Sequence, residues 1–436
     1  MTFCGPAAPR IERYVAAGLL AALSFVRAAG AADDEAQHWI SLSGELRERF
    51  ESSDNPVFGL SAPAHNDYLL HRIYLAVDVR AEGSFRARIE TVSGTATGWD
   101  GDPPPTQDDP ADVLQAYAET GFEAVGGHLL LRAGRQELKL GSSRLVSLRE
   151  SPNIRRSFDG LRASWSTGRR TRVDAFVVRP VSPESGRFDD GSSSAQEFWG
   201  LYATLGLPRE SPLAADIYYL GLEREGAVFS AGRATERRHT IGARLFGELA
   251  PLDLNLEGAW QWGSFGELDI RAWTLSADVG YTMATWRGSP RFGIKADVIS
   301  GDRDAADHTL GTFNPLFPRL PYFSEANVAT PANLVDVQPS VAFALPRHVT
   351  ATLSWNALWK YARQDAFYAP PLSPVRGTAA TGSNYIGRQL SLLAEWQASD
   401  HLNLSATYVW FEPGHFVEQA GGRSGNFGAA WAQFSF

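Results

Sequence analysis

The chain has 436 residues, a formal net charge of −9 and a pI near 5.6, an acidic balance that gives no reason to expect nucleic acid as a partner. Its single cysteine, Cys4, excludes a disulfide framework, and no clustered set of Cys and His offers metal ligands. Length alone would suit two or three soluble domains, but no low-complexity tract or charge run marks a boundary, and one large barrel uses the same length without a linker.

The N-terminus carries Arg10 and Arg13, then an uncharged run from Val15 to Val26, then the small residues Ala28 to Ala32. That is the layout of a secretory signal peptide. Its apolar core is shorter than the roughly 20 residues a spanning helix needs, and Asp33, Asp34 and Glu35 follow at once. Residues 1–32 are therefore expected to be removed, taking Cys4 with them, and 33–436 to form one domain. No other stretch is long enough for a spanning helix, so a membrane location would require a closed β-barrel, because lipid satisfies no backbone hydrogen bonds.

Apolar residues in the remainder recur with period 2 rather than 3.6. In the first segment Ile40, Leu42, Leu46 and Phe50 oppose Ser41, Ser43, Glu45, Arg47 and Arg49. Between 72 and 80, Ile73, Leu75, Val77 and Val79 oppose Arg72, Tyr74, Ala76, Asp78 and Arg80; next, Phe85, Ala87 and Ile89 oppose Arg86, Arg88 and Glu90. Later segments repeat this with fewer charges, as where Leu252, Leu254, Leu256 and Trp260 oppose Asp253, Asn255 and Glu257, or where Leu402, Leu404, Ala406, Tyr408 and Trp410 oppose Asn403, Ser405 and Thr407. The last strand ends in an aromatic, Phe436.

About eighteen such segments fit between Trp39 and Phe436, an even number as expected of a bacterial barrel. Short connectors (81–84, 167–170, 248–251, 345–347, 397–400) alternate with long ones (51–67, 93–112, 136–157, 180–195, 300–333, 361–385, 412–427). That is the arrangement of short periplasmic turns and long extracellular loops. A soluble β-sandwich also produces alternation, but the signal peptide, the strand lengths and aromatics such as Trp260, Trp262, Tyr281, Trp286, Trp359, Tyr408 and Trp410 near strand ends favour two membrane interfaces. The predicted fold is an all-β transmembrane antiparallel barrel in the cell outer membrane, bounded by lipid.

The polar face then lines the lumen. Candidate pore-lining residues on the strands are Arg47, Arg49, Arg72, Arg86, Arg88, Arg132, Arg162, Arg172, Arg244 and Lys295, interspersed with Glu45, Asp78, Glu90, Asp174, Glu257, Asp278, Asp297 and Glu395. Of 40 basic residues only Lys139, Lys295 and Lys360 are lysine, a bias that a GC-rich genome or a demand for guanidinium groups would equally explain. Arginine ladders lower the barrier for carboxylate and phosphate, and the planar fork grips carboxylates bidentately. The same residues could instead brace the wall as ion pairs.

The densest polar cluster is GRQELKLGSSRL (134–145) followed by RRSFDG (155–160), which brings Arg135, Arg144, Arg156 and Asp159 to the external end. It reads either as an anion-binding constriction or as an ion-paired loop packed on the wall. The segment GDRDAADHTLGTFNPLFPRLPYF (301–323) is rich in proline and aromatics and is expected to fold over or into the lumen. Asp302, Asp304 and Asp307 match no EF-hand spacing and read as solvated loop acids. No HExxH, P-loop or GxSxG motif is present, so no catalytic, metal or cofactor site is expected.

Together, GRQELKLGSSRL, RRSFDG and GTFNPLFPRLPYF resemble the alginate-export family of outer-membrane porins, from the first strand to the last. The matching positions are Gly134, Arg135, Gln136, Arg144, Arg156, Phe158, Asp159, Gly160, Asn314, Pro315, Phe317 and Pro318. The resemblance implies an eighteen-stranded barrel whose Arg-rich lumen passes a polyuronate, with one carboxylate per sugar, handed on by periplasmic export components. The expected function is passive export of an anionic polysaccharide, alginate or a related polyuronate; the alternative is an anion-selective porin for uptake of small anionic solutes. A surface enzyme and an adhesin are the readings from other classes.

Overall fold

The computed structural model describes residues 39–81, 84–168, 170–207 and 211–436; the expected signal peptide, 1–32, lies outside the described residues. Eighteen strands form one closed antiparallel sheet. They are β1 Ile40–Asp54, β2 His65–Arg80, β3 Arg86–Thr97, β4 Asp109–Ala124, β5 Gly127–Gln136 and β6 Phe158–Thr167. There follow β7 Thr171–Ser182, β8 Gln196–Gly206, β9 Leu213–Phe229, β10 Gly232–Leu249, β11 Leu252–Phe265 and β12 Leu268–Thr282. The last six are β13 Arg291–Ile299, β14 Leu334–Leu345, β15 Val349–Trp359, β16 Tyr385–Gln397, β17 Leu402–Pro413 and β18 Gly425–Ser435. No helix among the described residues is long and apolar enough to cross a membrane; the strands supply the crossing.

Each strand pairs with its neighbour in sequence, and β18 returns to β1 in a register running from Glu45↔Ser435 to Asp54↔Asn426. Phe436 completes the seam by exchanging two backbone hydrogen bonds of 3.0 Å with Gly44. A side chain at position 44 would meet the Phe436 ring at 2.5 Å, so glycine here admits the terminal aromatic.

The alternation read from the sequence places side chains as a membrane demands. On β2, Ile73, Leu75 and Val77 are exposed on the outer surface, whereas Arg72, Tyr74 and Ala76 between them are 1% exposed. A water-soluble protein would invert this. Trp260, Trp262, Tyr281, Trp286, Tyr408 and Trp410 lie on the exposed outer face, as interfacial aromatics should. Trp359 departs from that expectation: it is half-buried at the outer rim, where it packs on Tyr385 at 5.6 Å.

The long connectors turn inward and fill the external half of the lumen. From loop 300–333, Phe317 meets Phe158 of β6 edge-on at 5.2 Å and Phe198 of β8 at 4.9 Å. Phe58, in the β1–β2 connector, sits between Phe411 of β17 and Phe367 of the β15–β16 loop, and Tyr368 of that loop reaches Phe229 of β9. Loop 137–157 joins loop 300–333 through backbone hydrogen bonds from Phe317 to Leu145 and from Ser147 to Phe317. These segments bury an apolar core inside a barrel whose other apolar surface faces lipid.

Glycines permit the close approaches this requires. Gly134 and Gly160 face each other across β5 and β6, with φ of 123° and 154°. A Cβ at Gly134 would lie 2.3 Å from the Ala116 carbonyl oxygen, and one at Gly160 2.3 Å from that of Val177. At Gly141, φ is 50° and a Cβ would collide with the Tyr202 hydroxyl, so the loop can pass tight against the wall only without a side chain.

Gly134→Ala is expected to cost about 1–3 kcal/mol through backbone strain, read as a lower temperature for loss of the heat-modifiable folded band on electrophoresis. Phe317→Ala, which empties the centre of the inward loops, should cost about 3–5 kcal/mol and raise the baseline conductance in a planar bilayer.

Candidate functional site

The lumen has two zones, and the charged residues of the alternating face and of the inward loops divide between them. Toward the short turns, the inward arginines are wetted: side chains of Arg86, Arg88, Arg132, Arg162, Arg172, Arg244 and Arg291 are between 11% and 49% exposed. Toward the long loops, Arg49, Arg72, Arg144, Arg238 and Lys295 are between 0% and 9% exposed. The first zone is a periplasmic vestibule, because short turns and both termini face the periplasm in such barrels; the second is the plugged outer half.

In the vestibule every one of these arginines has a carboxylate. Arg86 and Arg88 share Asp78, with Glu119 at 3.3 Å from Arg86 and Glu90 at 3.1 Å from Arg88. Arg132 takes Glu119 at 2.5 Å and lies 4.0 Å over the Tyr117 ring. Arg162 and Arg172 converge on Asp174 at 2.9 and 2.8 Å. Arg244 meets Asp216 at 2.9 Å, and Arg291 meets Asp253 at 2.5 Å and Asp278 at 3.3 Å. Seven arginines thus face seven carboxylates, Asp78, Glu90, Glu119, Asp174, Asp216, Asp253 and Asp278. Their formal charges cancel, so the vestibule is a band of ion pairs rather than a bare ladder of cations.

In the plug the arginines hold loops. Arg47 donates to the carbonyls of Glu150, Ser151 and Pro152 at 2.9 to 3.1 Å. Arg72, beside it, bonds Glu45 at 2.9 Å and Glu150 at 2.7 Å. Partial burial pushes the Glu150 carboxyl up, but Arg72 and Arg155 outweigh it and hold it below the usual carboxylate range. Arg49 bridges Glu51 at 2.5 Å and Glu325 at 2.8 Å, tying loop 300–333 to β1. Arg144 reaches across the bore to Glu257 of β11 at 3.3 Å and Asp297 of β13 at 3.6 Å. Lys295 donates to the Tyr322 carbonyl at 2.9 Å beneath the Tyr322 and Phe323 rings. Arg135 grips Asp159 with both ends of its fork, at 2.9 and 3.2 Å.

Arg156 differs from the rest. It lies over the Phe317 ring at 5.1 Å, with Nη1 buried and without a hydrogen bond. Arg149, which the alternation could not flag because it lies in a loop, lines the same small cavity of about 10 Å³. Burial pushes Arg149 down to about 10 and, with Arg149 beside it, pushes Arg156 down as well. Neither they nor Arg47 and Arg319 form an ion pair with a carboxylate among the described residues, in contrast to the seven vestibule arginines named above.

Two further members, Glu236 and Arg238, were missed from sequence although the signal existed, whereas Lys360 was expected on the lumen face. Glu236 and Arg238, both 0% exposed, pair at 2.6 Å and hold Asn314 of the loop; period 2 along β10 places them on the inward face with Thr240. Lys360 anchors the β15–β16 loop through the carbonyls of Arg363 and Asp365. Asp302, Asp304 and Asp307 accept backbone N–H groups of their own loop, from Asp304, Ala306 and Thr309.

Two comparisons bear on this arrangement. Among solved structures, OccK8 (OprE) of Pseudomonas aeruginosa superposes with a TM-score of 0.61 at 12% identity, over 91% of this chain and 98% of that one. OccAB4 of Acinetobacter baumannii gives 0.60 at 10% identity over 93% and 100%, and OccK3 (OpdO) of P. aeruginosa gives 0.59 at 14% over 91% and 95%. At such identities the likeness is one of fold. The comparison with curated proteins gives no match. The family model described as alginate export matches residues 38–430, which is nearly the whole chain. With its lipid-facing outer surface and charged bore, the chain is an outer-membrane channel and belongs to the alginate-export family.

Proposed function

We propose that the channel passes an anionic polysaccharide, alginate or a related polyuronate, outward from the periplasm, and that residues 1–32 are the export signal its location requires. The observation that carries this reading is the placement of guanidinium groups without carboxylates, Arg47, Arg149, Arg156 and Arg319, in and against the loops that fill the outer bore. Below them lie arginines that already hold carboxylates.

Ion pairing suits transport of a polymer. A file of bare arginines would bind a polyuronate at every sugar and hold it, whereas conduction needs sites that release as readily as they bind. In the vestibule each guanidinium exchanges an aspartate or glutamate for a uronate carboxylate of the same chemistry, so the bidentate geometry is kept and the net change is small. At the plug, loops 137–157 and 300–333 must separate, and Arg149 and Arg156 leave an apolar setting for a carboxylate partner. Periplasmic export components would deliver the polymer to the vestibule.

Reversal potentials in a salt gradient across a planar bilayer test this. Anion preference is expected, reduced in the Arg149→Gln, Arg156→Gln double variant and in one lacking charge at Arg86, Arg88 and Arg162. Oligouronates added on the periplasmic side should block the current, with weaker block in those variants. Cation preference unaltered by these substitutions, without oligouronate block, would refute the reading. Block by short carboxylates alone would indicate uptake of small anions instead.

A further inference from the structure

We propose that Asp109, Asp112 and Asp190 form a calcium site at the outer rim, pinning the loop between β7 and β8 to the first residues of β4. One carboxylate oxygen from each of the three lies within 4.8 Å of the others. One cation between them can therefore touch all three, and calcium, which tolerates irregular oxygen shells, suits such a trio better than magnesium, which demands near-ideal octahedral geometry. The donors are all oxygen, which disfavours zinc.

The independent observation is Asp109. It is 0% exposed, and both its carboxylate oxygens are buried without a hydrogen-bond partner among the described residues. A carboxyl in that state, facing two more, either keeps a proton or is joined by a cation, and a cation shared by all three satisfies them together. Asp112 is 2% exposed and is already oriented: its Oδ2 accepts the backbone N–H of Asp189 and of Asp190 at 2.9 and 3.0 Å. Asp190 is turned inward by the Glu184 N–H, which its Oδ1 accepts at 2.7 Å.

Arg149, Arg155 and Arg156 line one cavity with Asp190, yet none of them is in ion-pair contact with the trio. Arg135 alone forms an ion pair with the trio among the described residues, with Nη1 at 3.7 Å from Asp112, and its fork is spent on Asp159. Asp189 adds a further negative charge nearby. Calcium tolerates irregular geometry and completes its shell with carbonyls and water, and a rim on the external face meets that ion in the medium.

The structural consequence is a crosslink. Residues 187–190 already bridge β4, through Arg187 beside Ala111 and the Phe188 N–H on the Ala111 carbonyl at 2.9 Å. An ion shared by Asp109, Asp112 and Asp190 locks that contact, and with it the Arg135–Asp159 pair beneath.

Equilibrium dialysis of the folded full-length channel in detergent against radiolabelled calcium tests this. One ion per chain is expected, with a dissociation constant of about 10⁻⁴ to 10⁻³ M as in other extracellular calcium modules. Asp109→Asn and, separately, Asp190→Asn should lose the binding, while Asp304→Asn keeps it. Calcium should also protect the loop 183–195 from protease in wild type and not in the two variants. Folding of each variant is verified by its heat-shifted electrophoretic band, and Asp190→Asn, in a loop, serves where Asp109→Asn does not assemble. Absence of binding by wild type at millimolar calcium, binding that survives both substitutions, or tighter binding of magnesium at this site would overturn the proposal.

Discussion

Everything in this molecule follows from the need to satisfy backbone hydrogen bonds where no water is present. A sheet in lipid has no tolerable edge, so the first strand must find the last, and the seam between β1 and β18 is complete to the terminal residue through Phe436 and Gly44. Once closed, the sheet offers only two surfaces. The outer one is apolar because of lipid, which leaves the inner one to carry all chemistry, and charges placed there must be neutralised by neighbours two residues or one strand away. The vestibule pairs are the result: contacts between close neighbours let a wide bore carry many charges.

The inward loops answer a second requirement. Eighteen strands enclose a space that wall side chains alone do not fill. Here the space is filled toward the outside by segments that carry their own aromatic core, and the wall arginines Arg47, Arg49 and Arg72 serve as their moorings. Loop 137–157 is held at several points, by Arg47 and Arg72 at one end and by Glu257 at the other. The plug is therefore an ordered part of the fold and not slack chain lying in the pore.

Much of this was legible in the sequence because lipid imposes a simple rule. Period 2 along Ile73, Leu75 and Val77 against Arg72, Tyr74 and Asp78 assigns the faces of β2 without reference to any other residue, and the spacing of connectors assigns the ends of the barrel. Partners are another matter. Arg47 meets carbonyls more than 100 residues away, and Arg144 meets Glu257 across the bore; such distances are set by barrel closure and loop path, which no local pattern encodes. The two readings of the 134–160 cluster stayed open for that reason. In the structure Arg135 and Arg144 are paired, while Arg156 lies without a carboxylate on Phe317, so one short motif contains both kinds of arginine. The aspartates at the rim escaped notice similarly, since Asp190 joins Asp109 and Asp112 only when the β7–β8 loop folds back.

The plug also bears on the cell that carries this channel. An unobstructed bore of eighteen strands is a leak, through which small periplasmic solutes drain and noxious ones enter, and its cost rises with every copy inserted. Loops moored from opposite walls obstruct that leak. Because Phe317 packs on residues of separate hairpins, its loop cannot leave the bore without giving up contacts to both, so the obstruction behaves as one unit and not as independent loops.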